Sequence, residues 1–188
     1  MTRYRSPSPT SIASLPFSTR CCVWRKSISG LRRSGFQRVD LGDLAVEVAE
    51  LYTPLSEEMG ASFGVEAQTG LTVNGDPYLL AQAVGNLVDN AVKYTPRGGR
   101  VSMRVAPCDD GQVEIVLADN GPGIPDQEKS HVTDRFYRGQ SSARKSGIGL
   151  GLSVVEAVAR LHDGSLTLRD GHPGLTASLR LAAAPELA

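Results

Sequence analysis

The chain has 188 residues, 40% of them hydrophobic and 21% charged, the make-up of one ordinary globular domain with a proper core. It contains no run of about 18 apolar residues, which excludes a membrane-spanning helix from this chain. Three cysteines, Cys21, Cys22 and Cys108, match neither a disulfide framework nor a zinc spacing, in keeping with a reducing compartment.

The formal net charge of zero is unevenly divided: residues 1–39 hold eight Lys or Arg and no acid, and the rest carries 12 basic and 20 acidic residues. The two parts are therefore read separately. Residues 1–29 are rich in Ser, Thr, Arg and Pro without apolar periodicity. A disordered basic tail fits, an acid-poor, Arg- and Ser-rich start also suits a transit peptide, and the abrupt change of composition favours a mis-assigned gene start.

From Leu41 the chain becomes patterned. Leu41, Leu44, Ala45, Val48, Leu51, Tyr52, Leu55 and Met59 follow the spacing of an amphipathic helix, with Asp40 as N-cap and Gly60 as stop. Pro54 lies inside that stripe and is expected to kink or divide the helix. Two short strands are expected at 62–67 and 71–74. Asp76-Pro77 offers a cap with proline at the first helical position, opening a helix to about Tyr94. Alternation at Val101, Met103, Val105 and at Val113, Ile115, Leu117 reads as two antiparallel strands. Residues 120–146 are rich in Gly, Pro, Ser and charge, and a loop that long is usually functional or disordered. A helix from about Leu150 to His162 and a hairpin near 165–169 and 175–181 complete the chain. Helices on one face of a mixed sheet make a two-layer α/β sandwich.

Three groups of residues carry chemistry. On the helix from Asp76 to Tyr94, Leu80, Val84, Leu87, Val88 and Ala91 lie on one side, and Gln82, Asn86, Asn90 and Lys93 on the other. An exposed face would favour Glu, Lys, Gln and Arg over Asn. Two asparagines four residues apart present neutral oxygens and amides to one point, which suits Mg²⁺ that keeps water and phosphate ligands; Lys93 adds a positive charge.

The second group is Asp119-Asn120-Gly121-Pro122-Gly123-Ile124, where a carboxylate at a strand end can accept from an amino group such as adenine's. The third is Gly147-Ile148-Gly149-Leu150-Gly151-Leu152, whose helix start offers free N–H groups to an anion. Neither is a Walker A loop or a dinucleotide fingerprint. Between them, Phe136 is placed to anchor a lid while Arg135 or Arg138 steadies phosphate charge.

Taken in order, these residues resemble the catalytic and ATP-binding domain of two-component sensor histidine kinases, in the wider family with gyrase, heat-shock-90 and MutL ATPases. Asn86-Leu-Val-Asp-Asn90-Ala-Val-Lys93-Tyr94 is similar to the N box, 119–125 to the G1 box, 135–138 to the F box and 147–152 to the G2 box. The resemblance implies a Bergerat-type sandwich over residues 40–183, with a tail at 184–188 and a lid at about 121–147. It also implies that Asn86 and Asn90 hold Mg²⁺, with Asn90 also touching phosphate. Lys93 and Tyr94 would face the phosphates or ribose, and Asp119 the adenine amino group. Gly121, Gly123 and Ile124 would shape the adenine pocket. Phe136, Gly147, Gly149, Leu150, Gly151 and Leu152 would hold the lid end and the phosphates. Catalysis would rest on Asn86, Lys93, Arg135 and Arg138.

Hydrolytic members carry a glutamate four residues before the key asparagine, and here that place is Asn86, an amide that cannot take a proton near pH 7. The resemblance therefore implies phosphoryl transfer to a protein, by positioning and charge neutralisation. The phosphoacceptor histidine of the family lies on a dimerising hairpin, next to an acid. His131, His162 and His172 have no such context and are read as structural or surface residues. Residues 30–39 resemble the link from that hairpin, so the hairpin is expected in trans or upstream, and this chain alone is not expected to autophosphorylate. A response regulator is expected downstream, with no nucleic acid partner, in the cytoplasm, where a full-length relative would be anchored in the inner membrane. A non-catalytic ATP or ADP module and an anti-sigma-type serine kinase are the competing functions.

Overall fold

The computed structural model describes residues 35–108, 110–137 and 149–185. Strand β1 (Gln37–Asp40) leads into helix α1 (Leu41–Met59), followed by strands β2 (Ser62–Ala67) and β3 (Thr72–Gly75). Helix α2 (Pro77–Tyr94) precedes strands β4 (Arg100–Pro107) and β5 (Gln112–Asp119), then the short helix α3 (Asp126–Lys129). Helix α4 (Gly151–Leu161) and strands β6 (Ser165–Asp170) and β7 (Leu175–Ala182) close the sequence of elements.

Five strands form one mixed sheet in the order β2-β4-β5-β7-β6. Only the β2–β4 pair is parallel, with Phe63 opposite Val101; β5 pairs antiparallel with both β4 and β7. Alternation then assigns the faces. Val101, Met103, Val105, Val113, Ile115, Leu117, Leu179 and Leu181 point one way and are at most 3% exposed. On that face they meet Leu80, Val84, Leu87 and Val88 of α2, and Val155 and Val158 of α4, none more than 2% exposed. Each such aliphatic side chain contributes about 1.5–3 kcal/mol by leaving water. The other face is polar: Glu114 accepts from Arg180 Nε at 2.9 Å and from the Ser178 hydroxyl. The fold is the expected two-layer sandwich with its helices on one side.

Local chemistry sets the helix ends. Asp40 Oδ1 accepts from Gly42 N–H at 2.8 Å and Asp43 N–H at 3.2 Å, and Gly60 ends α1 in the left-handed region at φ 74°. Asp76 caps α2 in the same way, with Pro77 next to it. A cap of this kind contributes about 1 kcal/mol.

Several expectations are modified. Helix α1 is not divided at Pro54. Glu50, whose carbonyl loses its donor there, is exposed with Pro54, so water can take the place of the missing N–H. Leu51 and Met59 are 56% and 42% exposed, although both lie on the apolar stripe read from the sequence. Residues 37–39, assigned to a link, form part of β1, which pairs with β3 from Gln37–Gly75 to Asp40–Thr72. The loop at 120–146 holds α3 in its described part.

The tail joins the same small sheet. Ala184 N–H donates to Thr72 O at 2.7 Å, and Arg38 Nη1 donates to Pro185 O at 2.6 Å. Residues 184 and 185 thus belong with the body. No described helix is long and apolar enough to cross a membrane.

Candidate functional site

Helices α2 and α4 lie side by side in opposite directions. The polar stripe of α2 is not a solvated face: Gln82, Asn86, Asn90 and Lys93 are all half-buried. What covers it is the start of α4. A Cβ added at Gly151 would lie 3.2 Å from Asn90 Nδ2, 3.7 Å from Asn90 Oδ1 and 3.8 Å from Asn86 Oδ1. Both amides therefore open onto a notch whose other wall is the first turn of α4. No side chain among the described residues caps that turn, and a helix start of this kind offers its leading N–H groups to an anion. Lys93 Nζ stands 5.4 Å from the centre of the Tyr94 ring at the same end of α2.

At the end of β5, Asp119 is half-buried. Its Oδ1 accepts from Gly121 N–H at 2.8 Å and from Leu175 N–H at 3.4 Å. Oδ2 has no protein donor among the described residues. Burial pushes the Asp119 carboxyl above its ordinary value, against the lowering by the Gly121 and Leu175 N–H groups. One oxygen is thus pinned and the other is free to accept from a ligand. Gly121 is buried, and Gly123 and Ile124 are half-buried beyond it.

The lid is tied down by backbone. Phe136 N–H donates to Gly149 O at 3.0 Å, and a Cβ at Gly149 would come within 2.9 Å of the Phe136 carbonyl carbon. The Phe136 ring itself is 70% exposed, with φ at 66°. Phe136 thus meets Gly149 through its main chain, with its ring left out of the core. Arg135 is exposed; Leu150 and Leu152 are half-buried around Gly151. Arg138 and Gly147 lie outside the described residues. Lys129 of α3 bridges Asp126 at 2.6 Å and Asp170 at 2.5 Å, holding the lid's first half to β6.

Two features escaped the sequence. Gly174, in the β6–β7 turn at φ 103°, lies so close to Asp119 that a Cβ would run into its carbonyl oxygen and sit 2.9 Å from Asn120 Cα. That turn also delivers the Leu175 N–H to Asp119. The other is Asp89, half-buried on α2, whose carboxyl burial raises and Lys93 lowers. Of the histidines, His162 is buried at 5%, while His131 and His172 are exposed.

A model of the histidine kinase-, DNA gyrase B- and HSP90-like ATPases matches residues 75–185, which takes in every element lining the notch. The chain belongs to that ATPase family. Within it, the chain is similar to a mycobacterial sensor histidine kinase, MprB: 35% identical, TM-score 0.73, covering 80% of this chain and 100% of that one. The ATP-binding domain of PrrB from Mycobacterium tuberculosis is 29% identical with a TM-score of 0.64, covering 81% and 100%. The catalytic domain of the histidine kinase ThkA, 24% identical at a TM-score of 0.70 with 80% and 99% covered, shares the fold. The curated histidine-protein kinase/phosphatase MprB of Mycobacterium ulcerans (strain Agy99) is 47% identical over 105 residues, 56% of this chain. The ATPase domain spans only 20% of that relative's length. This is the ATP-binding domain type of sensor histidine kinases.

Proposed function

We propose that the chain is the catalytic domain of a histidine kinase, handing the γ-phosphoryl group of ATP to a histidine on a helical hairpin, with a response regulator as the later acceptor. The observation that carries the reading is the closure of Gly151 on the Asn86 and Asn90 amides, a notch with neutral oxygens on one wall and helix N–H groups on the other. A triphosphate lying alongside this closure would meet donors from α4, and Lys93 adds charge. The adenine amino group donates to Asp119 Oδ2. Asn86 and Asn90 fit a Mg²⁺ that arrives with the nucleotide, since neutral amide oxygens leave room for phosphate and water ligands. The metal would neutralise charge developing on the phosphates. Arg135 and Arg138 would steady the charge of the γ-phosphate.

Asn86 stands where a hydrolase of this family needs a base, and an amide takes no proton near pH 7. Water is therefore a poor acceptor, and the imidazole of a docked hairpin brings its own nucleophile.

Mixing the chain with Mg²⁺, labelled ATP and a separately made hairpin bearing a histidine beside an acid should give acid-labile, base-stable phosphate on the hairpin. ATP binding without any such product would sink phosphoryl transfer while leaving nucleotide binding intact.

A further inference from the structure

The end of α4 far from the notch is held by an unusual joint. His162 follows α4 and is 5% exposed. Its Nδ1 lies 2.7 Å from Val158 O, and its Nε2 lies 3.1 Å from Asp76 N. A carbonyl only accepts and a backbone N–H only donates, so Nδ1 carries the proton and Nε2 receives one. The ring is thereby fixed as one neutral tautomer bridging two helices.

Asp76 is the residue that starts α2, its Oδ1 accepting from Tyr78 and Leu79 N–H. The same ring forbids a side chain at Gly75, where a Cβ would stand 2.7 Å from His162 Cδ2. On its other side, Phe36 stacks on it, with 4.6 Å between ring centres and 12° between planes. Phe36 belongs to the segment that enters the domain, and its neighbour Gly35 also abuts the Asp76 carboxylate: a Cβ there would lie 2.6 Å from Oδ2.

Because α2 and α4 are antiparallel, clamping the end of one to the start of the other sets how their opposite ends meet. At 1.5 Å per residue, His162 is roughly 16 Å along α4 from Gly151, and Gly151 is where the notch closes on Asn90. We propose that His162 is a positioning residue for the ATP site, and that the entering segment acts on nucleotide affinity through the stack of Phe36 on His162. A shift of the entering chain tilts the ring, the ring is bound to both helices, and the Gly151–Asn90 gap opens or narrows. The proposal rests on the reading that this gap takes the triphosphate.

The test is titration of the full chain with a fluorescent ATP analogue in Mg²⁺, alongside thermal melting. Phe36→Ala should weaken affinity about three- to tenfold, the worth of one aromatic pair, and Phe36→Tyr should restore it to within about twofold. His162→Phe keeps the stack but loses both hydrogen bonds, and should weaken affinity at least as much. If both variants melt earlier yet bind the analogue within about twofold of the parent, the joint only holds the fold and the proposal is overturned. Should Phe36→Ala fail to fold, Phe36→Leu, which fills the space without stacking, carries the same two outcomes. Asn90→Ala separates the layers: if it binds the analogue as the parent does, the reading of the notch falls, and the proposal with it.

Discussion

Replacing Asp119 by Asn changes one atom and should reverse the hydrogen-bonding sense of the adenine pocket. Gly121 N–H and Leu175 N–H both aim at Oδ1, so the amide of the variant must place its carbonyl oxygen there and its NH₂ where Oδ2 was. Two donors would then face each other across the adenine amino group. A hydrogen bond to a charged acceptor contributes about 1.5–3 kcal/mol, and the opposed donors add to the loss. The total is about 2–4 kcal/mol, or roughly 30- to 1000-fold in Kd for ATP.

Folding should move the other way. The folded carboxyl sits above its ordinary value because of burial, so the stability it contributes is present at low pH and lost as pH rises through the folded value. Asn carries no charge and escapes that loss. The variant should therefore melt at or above the parent's temperature at neutral pH, with the difference shrinking as pH falls. Competition of unlabelled ATP against a fluorescent analogue reads affinity, and a thermal melt reads the fold. An ATP affinity within about threefold of the parent, at an unchanged melting temperature, would refute the placing of adenine at Asp119.

Gly151→Ala should leave the fold intact or slightly more stable, since Ala outranks Gly in a helix by about 1 kcal/mol. The added methyl 3.2 Å from the Asn90 amide should nevertheless weaken ATP binding about tenfold, read by the same competition assay. Gly174→Ala forces a positive φ and a collision with Asp119, and should cost about 3 kcal/mol or more in urea unfolding. Pro54→Ala returns an N–H to Glu50 O in an exposed part of α1 and should stabilise by about 3 kcal/mol in the same measurement.

The elements that the sequence predicts well are those whose signals are local. Asp76-Pro77 states where α2 begins, and Tyr94 followed by Thr95-Pro96 states where it ends. The strict alternation of β4 and β5 needs no tertiary information. Strand β1 is different: Gln-Arg-Val-Asp has one buried residue, Val39 at 8%, and exists because β3 lies beside it. Periodicity placed Leu51 and Met59 on the stripe of α1, but it carries no record of which stripe positions are covered. The site divides likewise. Asn86, Asn90 and Asp119 are legible as residue types in unexpected places. Gly174 acts on a residue 55 positions earlier, and nothing local in Pro173-Gly174-Leu175 distinguishes it from any turn. Exposure of the Phe136 ring is decided by the path of the lid backbone.

The Arg38 guanidinium reaches the Pro185 carbonyl at 2.6 Å, so the chain entering the small sheet and the chain leaving it lie within one side chain's reach. Domains so arranged tolerate relocation: closely spaced ends permit circular permutation and insertion into a host loop. New ends opened at the Gly111 turn between β4 and β5, with residues 35 and 185 joined by a short glycine linker so that Phe36 and β1 are kept, should give a permuted domain that still binds ATP.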